Sequence, residues 1–175
     1  PADRVETLEI LKEFKPFFQS AHIEKIGQNI KFDLLMLAMY GVELRGQLFD
    51  TMIAHYLLQP DLRHGMDYLA EIYLRYRTIH YEELVGGKGK NQMDIRFVDS
   101  SLLCNYACED ADITFQLKQI LSKELADNGL VDLFKNIEMP LVTVLAKMEQ
   151  NGVRIDTDAL KASSEILTAE ALKME

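Results

Sequence analysis

The sequence contains no tryptophan and only two cysteines among its 175 residues. Cys104 and Cys108 are four residues apart in a segment with helical patterning, so they lie one turn from each other with no other thiol to pair with. A framework of disulfide bonds is therefore excluded, and we interpret both cysteines as small helix-packing residues. The four histidines are scattered without the spacing of a zinc site.

Long apolar runs are also missing. No stretch of about 18 apolar residues is present, and the first 18 residues carry charges where a secretory signal would be apolar. We therefore expect a cytosolic protein with no membrane segment.

Basic residues are outnumbered, with 19 Lys and Arg against 28 Asp and Glu. This balance disfavours a protein that coats nucleic acid by bulk charge but allows a local basic rim around an acidic site.

Helical periodicity dominates the pattern, and two strand-then-helix units stand near the start. The first has a short strand within residues 23–30 and an apolar, buried helix at 31–40. The second has an extended segment at 42–49 and a helix at 51–58 that Asp50 caps. Two such units in succession predict parallel strands joined by crossover helices. Further helices are predicted at 4–19, 66–77, 100–128 and from 157 onward, with a short strand at 153–155.

The predicted helix at 100–128 has an acid on its apolar stripe. Tyr106, Ile113 and Leu117 recur at helical spacing, and Asp110 lies on the same side. Burying an ionised carboxylate costs several kcal/mol, so Asp110 needs a cation or several donors there. The alternative is that Asp110 is rotated to the helix edge and solvated.

A second acid, Asp33, lies in the first turn of the apolar helix at 31–40. An acid near a helix N-terminus is favourable by about 0.3–1 kcal/mol, so a simple helix-dipole role is one interpretation. In the other, Asp33 and Asp110 meet across the core. Divalent cations would there offset the repulsion between the two acids and organise phosphate chemistry.

Two motifs carry a resemblance to a known family. Residues 27–33 (GQNIKFD) resemble the second motif, and residues 106–110 (YACED) the third, of the 3′–5′ proofreading exonuclease domain of bacterial family A DNA polymerases. The resemblance implies an α/β, ribonuclease-H-like fold, truncated here and therefore mostly helical with a few short parallel strands. Segments similar to that family continue in the same order at 40–46, 49–52, 87–92, 138–142 and 151–156, so the resemblance covers nearly the whole chain.

The resemblance implies removal of mispaired 3′ nucleotides by a two-metal mechanism with Mg²⁺ or Mn²⁺. It makes Asp110 a direct metal ligand and Asp33 a ligand of the second ion, largely through water. Tyr106 would position the attacking water. In-line hydrolysis agrees with this division, because one ion serves the nucleophile and the other the leaving 3′ oxygen.

Substrate contacts are expected from five further residues. Gln28 and Asn29 match family positions near the strand end, although Asn29 is equally suited to cap a helix. Tyr81 aligns with an aromatic position near the displaced 3′ end, where it would stack on a base; packing in the core is its alternative. Lys88 and Lys90 belong to a basic, glycine-rich loop that could hold single-stranded phosphates or simply be solvated.

The first motif of the family, Asp-x-Glu, is absent from the sequence. Asp112 cannot replace it beside Asp110, because helical residues two apart point about 200° from each other. We expect the family's first strands to lie upstream of Pro1, so that this chain holds half of the metal site. Weak or no exonuclease activity is expected from it alone.

Residues 1–135 are predicted to be the C-terminal part of the exonuclease domain, and residues 136–175 the start of a polymerase domain. The expected partners are the single-stranded 3′ end of DNA and the rest of the polymerase chain, near the nucleoid in the cytoplasm. Truncation of the sheet would leave an exposed edge through which two copies could dimerise.

Two alternative functions remain open. A catalytically silent scaffold that supports a polymerase and binds DNA would need no metal, but the presence of Asp33, Tyr106 and Asp110 argues against it. An RNA-trimming nuclease of the ribonuclease D type has similar second and third motifs. The polymerase-like segment at 138–156 disfavours that second alternative.

Overall fold

The computed structural model describes residues 2–87, 89 and 92–174, and these are mostly helical. Short π-helical turns at Ala70–Leu74 and Phe134–Glu138 and a 3₁₀ turn at Ile95–Phe97 connect some of the main elements. Those elements, in chain order, are α1 (Ala2–Phe18), β1 (Lys25–Gly27), α2 (Ile30–Ala38), β2 (Leu48–Asp50), α3 (Thr51–Leu58), α4 (Met66–Leu69), α5 (Tyr81–Val85), α6 (Ser100–Asp127), α7 (Val131–Leu133), α8 (Met139–Asn151) and α9 (Thr157–Met174).

The two strands pair in parallel, as the repeated strand-then-helix units predict. Lys25 is opposite Leu48 and Gly27 is opposite Asp50, with α2 as the crossover. Parallel strands end at the same edge of a sheet, so the motif at 27–33 begins at that edge, where Gly27 is opposite Asp50. The ends of β1 and β2 therefore lie side by side.

The predicted strand at 42–49 is wrong over most of its length, since only its last residues join the sheet. Gly46 has a φ of +90°, and a Cβ there would lie 3.0 Å from the carbonyl oxygens of residues 20, 21 and 23. The Arg45 N–H donates to the Phe18 carbonyl at 2.9 Å. This close passage beneath the loop after α1 prevents regular strand pairing before Leu48.

Helix α6 forms the centre of the core, and its predicted bounds are confirmed. Asp99 caps it by accepting from two main-chain N–H groups, and Gly129 follows it with a φ of +69°. It packs against α3 and β1. Its buried stripe, each member at most 3% exposed, consists of Ile113, Leu117, Leu121 and Leu125.

The expectation that α2 is buried on all sides is wrong. Only Ile30 is buried, while Phe32, Met36 and Met39 are exposed. The helix contacts β1 and α8 on one side, and its other side faces solvent. Asp33 is consequently carried by a helix at the surface of the core rather than inside it.

The end of the chain contacts little of the core. The predicted strand at 153–155 is absent, because this segment pairs with no strand of the described residues and Val153 is 88% exposed. Helix α9 begins where predicted, with Asp156 accepting from the Ala159 N–H at 3.0 Å, but it buries no residue. Among the described residues, no helix has both the length and the apolar character needed to cross a membrane.

Candidate active site

The structure brings Asp33 and Asp110 to one cleft. It lies between the end of β1, the first turn of α2 and the first half of α6, with a volume of about 440 Å³. The two acids, far apart in sequence, therefore face the same space. The lining residues are Ile26, Gly27, Gln28, Asp33, Met66, Asp110, Ala111, Thr114 and Phe115.

Asp33 is held in place by the capping of its helix. The carboxylate of Asp50, only 1% exposed, accepts the Ile30 N–H at 2.7 Å and the Asn29 N–H at 3.1 Å, at the start of α2. The same carboxylate accepts the Met52 N–H at 2.8 Å, at the start of α3. One buried acid thus caps two helices, whereas the sequence predicted a cap for α3 alone.

The surroundings of Asp33 make its charged form less favourable than it is in water. Desolvation by the surrounding protein raises the pKa of Asp33, and the charge of Asp50 raises it further, against a backbone hydrogen bond that lowers it. The residue itself is exposed, so its carboxylate is reachable from the cleft. A cation bound beside this carboxylate would stabilise its charged form and lower its pKa again.

Asp110 and Tyr106 interact one helical turn apart on α6. Both are half-buried. Burial raises the pKa of Asp110, while a hydrogen-bonding contact with the Tyr106 hydroxyl lowers it. Burial and the charge of Asp110 together raise the pKa of Tyr106 to about 12. The Tyr106 hydroxyl is therefore protonated at neutral pH and available as a donor beside the carboxylate.

Asp110 is neither sealed inside the core nor fully solvated. The sequence left open burial on the apolar stripe and rotation to the helix edge, and the structure places Asp110 between them at the cleft. Ile113 and Leu117, on the same stripe, are buried further along α6. The cleft is open, so the expectation that both acids lie in an apolar interior is wrong.

Gln28 and Asn29 lie at the end of β1, beside the cleft. The Gln28 amide donates to the His64 carbonyl at 2.6 Å and accepts from the Thr51 hydroxyl, which ties β1 to α3 and the loop after it. Asn29 is in the left-handed conformation with a φ of +60°, and its side chain makes no cap hydrogen bond. Asn29 thus occupies the N-cap position of α2, as its helix-cap alternative expected, but its side chain does not cap the helix. The substrate contacts stay predictions.

Tyr81 lies at the start of α5 and is 40% exposed, so the core-packing alternative is wrong for its ring. It is close enough to Tyr106 for the two hydroxyl groups to interact electrostatically. Stacking on a base stays a prediction for it. Lys88 and Lys90 lie outside the described residues.

Glu109 is a structural member of the site that the sequence reasoning missed. Its carboxylate accepts the Tyr76 hydroxyl at 2.7 Å and the Ile79 N–H at 2.8 Å. The segment leading to Tyr81 is thereby fastened to α6 beside Asp110. The only signal in the sequence was a second acid directly before Asp110, which does not reveal a partner 30 residues away.

Asp33 and Asp110 supply a partial set of ligands for a dication. Carboxylate oxygens suit Mg²⁺ and Mn²⁺, and both acids carry a raised pKa without a neighbouring cation among the causes. Within residues 2–87, 89 and 92–174, no three His, Cys, Asp or Glu side chains converge on one metal position. The donor chemistry fits a divalent ion, and the number of protein donors is small.

Comparison with known proteins identifies relatives across the chain. A family model described as 3′–5′ exonuclease matches residues 2–126. DNA polymerase I of Rhizobium leguminosarum is 35% identical over 174 residues, covering 99% of this chain and 17% of the relative. The enzyme of the same name from Borreliella burgdorferi is 38% identical over 159 residues, 90% of this chain and 17% of the relative. DNA polymerase I of Pseudomonas aeruginosa is 37% identical over 170 residues, which cover 95% of this chain and 18% of the relative. The chain thus spans less than a fifth of the length of these relatives.

Proposed function

The chain belongs to the 3′–5′ exonuclease family of family A DNA polymerases, and we propose that it is part of a DNA polymerase I whose exonuclease domain removes mispaired 3′ nucleotides. Proofreading and polymerisation, in replication and repair, would be activities of the whole protein. The observation that carries the proposal is the cleft shared by Asp33 and Asp110, with Tyr106 in contact with Asp110.

Two ions of Mg²⁺ or Mn²⁺ are the cofactor that this function implies, and Asp33 and Asp110 would hold them. Bound there, the ions would activate a water and stabilise the leaving 3′ oxygen. Two carboxylates are fewer than such a pair of ions needs, and the sequence has no Asp-x-Glu motif to add. Weak or no activity is therefore proposed for this chain alone.

The side chains around the acids would position water and the sugar–phosphate chain. Tyr106 is protonated, so its hydroxyl can donate to Asp110 while its oxygen accepts from a water beside it. Tyr81 offers an exposed ring next to Tyr106 on which the terminal base would stack. Tyr81, Tyr106 and Asp110 would act together, because Glu109 on α6 holds the segment that leads into α5.

The remaining substrate contacts are assigned by position. Gln28 and Asn29 lie at the end of β1, where amide groups would contact the sugar or phosphate of the 3′ nucleotide. Lys88 and Lys90 would contact phosphates of the single strand. In this arrangement, the strand would cross the cleft from α5 toward α2.

We assign residues 1–135 to the exonuclease domain and residues 136–175 to the start of a polymerase domain. The end of the family match at residue 126 and the absence of any buried residue in α9 support this division. The proposed partners are the 3′ end of single-stranded DNA and the rest of the polymerase, at the nucleoid in the cytoplasm. A dimer through the open edge of the two-stranded sheet stays a prediction.

A silent scaffold that binds DNA is the second candidate, and one observation favours it. No third ligand joins Asp33 and Asp110 among the described residues. A scaffold would bind DNA without any requirement for either acid.

Calorimetric titration of Mn²⁺ distinguishes the two functions. The titration uses a polypeptide of the proposed parent that extends beyond this chain on its N-terminal side, and its Asp33→Asn and Asp110→Asn variants. We expect each variant to bind Mn²⁺ at least about tenfold more weakly, about 1.4 kcal/mol, and to lose cleavage of a 3′-labelled single strand. Asp112→Asn is the matched control, because Asp112 is exposed on α6 and, within the described part of the chain, accepts a hydrogen bond only from Gln116, at 2.6 Å. Equal Mn²⁺ binding by the native polypeptide and its three variants would exclude the proposed metal site and favour the scaffold function.

A further inference from the structure

Cys104 and Cys108 face each other on the solvent side of α6. Their Sγ atoms are 4.0 Å apart, and both residues are exposed. The interpretation of the two cysteines as helix-packing residues is therefore wrong. The sequence holds no other thiol, so the pair is isolated from any competing cysteine.

Helix geometry prevents these thiols from forming a disulfide. A disulfide brings two Cβ atoms to about 3.5–4.5 Å, whereas helical residues four apart keep their Cβ atoms about 5–6 Å apart. The pair consequently stays as two neighbouring thiols with their sulfur atoms 4.0 Å apart.

The same spacing suits one bound metal ion. A thiolate binds Zn²⁺ at about 2.3 Å, and two such bonds at a tetrahedral angle separate the sulfur atoms by about 3.8 Å. The observed separation of 4.0 Å is close to this value. An ion could therefore bridge the pair with a small side-chain adjustment and an undistorted helix.

We propose that Cys104 and Cys108 form a two-thiol clamp for a thiophilic d¹⁰ cation, with Zn²⁺ and Cd²⁺ as its representatives. Each thiol loses its proton, so one M²⁺ replaces two protons and forms two metal–sulfur bonds, while water completes the coordination. Soft thiolate ligands select such ions over Mg²⁺ and Mn²⁺, which prefer oxygen. The clamp is thus chemically distinct from the carboxylate site at Asp33 and Asp110.

The surroundings of the clamp are acidic and open. Cys108 lines a cavity of about 420 Å³ together with Glu109 and Asp112, and their charge favours an approaching cation. A thiol that binds a metal ion gives up its proton, so binding of one ion by both thiols should release two protons.

The test is a titration of the reduced chain with Cd²⁺, followed by the sulfur-to-cadmium charge-transfer band in the ultraviolet. We expect one Cd²⁺ per chain, with two protons released, and no displacement by excess Mg²⁺. Cys104→Ser and Cys108→Ser should each lose the stoichiometric band. The Asp33→Asn and Asp110→Asn variants should retain it, which separates this result from the outcome for the exonuclease site.

A control with two distant thiols tests the geometry. The double variant Cys104→Ser, Gln119→Cys keeps two exposed thiols on α6 but separates them by about 16 Å along the helix axis. We expect it to behave like the single-cysteine variants. A band of native affinity in this control or in either single variant, no band in the native chain, or one ion per two chains would each overturn the proposal. Circular dichroism verifies that every variant keeps its helix content.

Discussion

Replacing Asp50 with alanine tests whether one buried carboxylate holds the candidate site together. The side chain is 1% exposed and accepts four main-chain N–H groups, those of Asn29, Ile30, Met52 and Ile53. Asp50→Ala removes the caps of α2 and α3 at once. The first turn of α2, which carries one of the two cleft acids, would lose its connection to β2.

The expected loss follows from the two caps. Alanine in place of an N-cap acid costs about 1 kcal/mol per helix, so two caps give about 2 kcal/mol. Buried donors left without an acceptor add to this loss. Burial raises the pKa of Asp50 in spite of its four donors, so removing the acid also relieves a desolvation cost. The unpaired donors and the relieved desolvation cost change the free energy of unfolding in opposite directions, so we keep the estimate of about 2 kcal/mol from the two caps. For a chain of this size, that loss corresponds to a fall in Tm of about 4–8 °C.

Urea denaturation followed by far-UV circular dichroism measures the loss, and hydrogen exchange locates it. The Ile30 and Met52 amides, which donate to Asp50, should lose protection. Asp112→Ala, at an exposed position of α6, should change the free energy of unfolding by less than about 0.5 kcal/mol. An unchanged urea midpoint for Asp50→Ala, with both amides still protected, would refute the reasoning.

Three further perturbations test the neighbouring groups. Asp33→Asn should raise the free energy of unfolding at neutral pH, because burial raises the pKa of Asp33 and the folded chain bears the cost of its charge. This gain in stability should vanish at a pH below the ordinary pKa of Asp, where Asp33 is protonated in both the folded and the unfolded chain. Denaturation curves that show no gain at any pH would contradict the prediction. Glu109→Gln replaces one acceptor oxygen by a donor, so it should cost about 0.5–1.5 kcal/mol and speed hydrogen exchange at Ile79; unchanged exchange argues against that anchor. Tyr106→Phe should raise the pKa of Asp110 further, since it removes a contact that lowers it, and an NMR titration giving the native value would disprove the contact.

Helices and their ends were predictable because their signals are local. The bounds of α6 and the capping role of Asp50 for α3 came directly from residues three or four positions apart. The parallel pairing followed from two repeated units. Short strands were less predictable, because a strand exists only where a partner is available. Residues 153–155 have strand-like composition and pair with nothing among the described residues.

The residues of the site were also identifiable, but their environment was not. Asp33, Tyr106 and Asp110 could be selected from motifs and helical spacing alone. Whether Asp33 is buried depends on what covers α2, and the exposure of Phe32 and Met36 shows that one side of that helix is open. The roles of these residues in catalysis stay predictions until metal binding is measured.

By itself, the sequence determined where helices form, which acids stand at their apolar faces and which family the chain resembles, because these properties depend on residue identity and short spacings. Only the tertiary structure decided that Asp33 and Asp110 share a cleft, that Asp50 caps two helices and that Glu109 anchors a distant segment. Those contacts join residues far apart in the chain. They arise when burial of the α6 stripe brings β1, α2 and α3 together, and no local pattern encodes that packing.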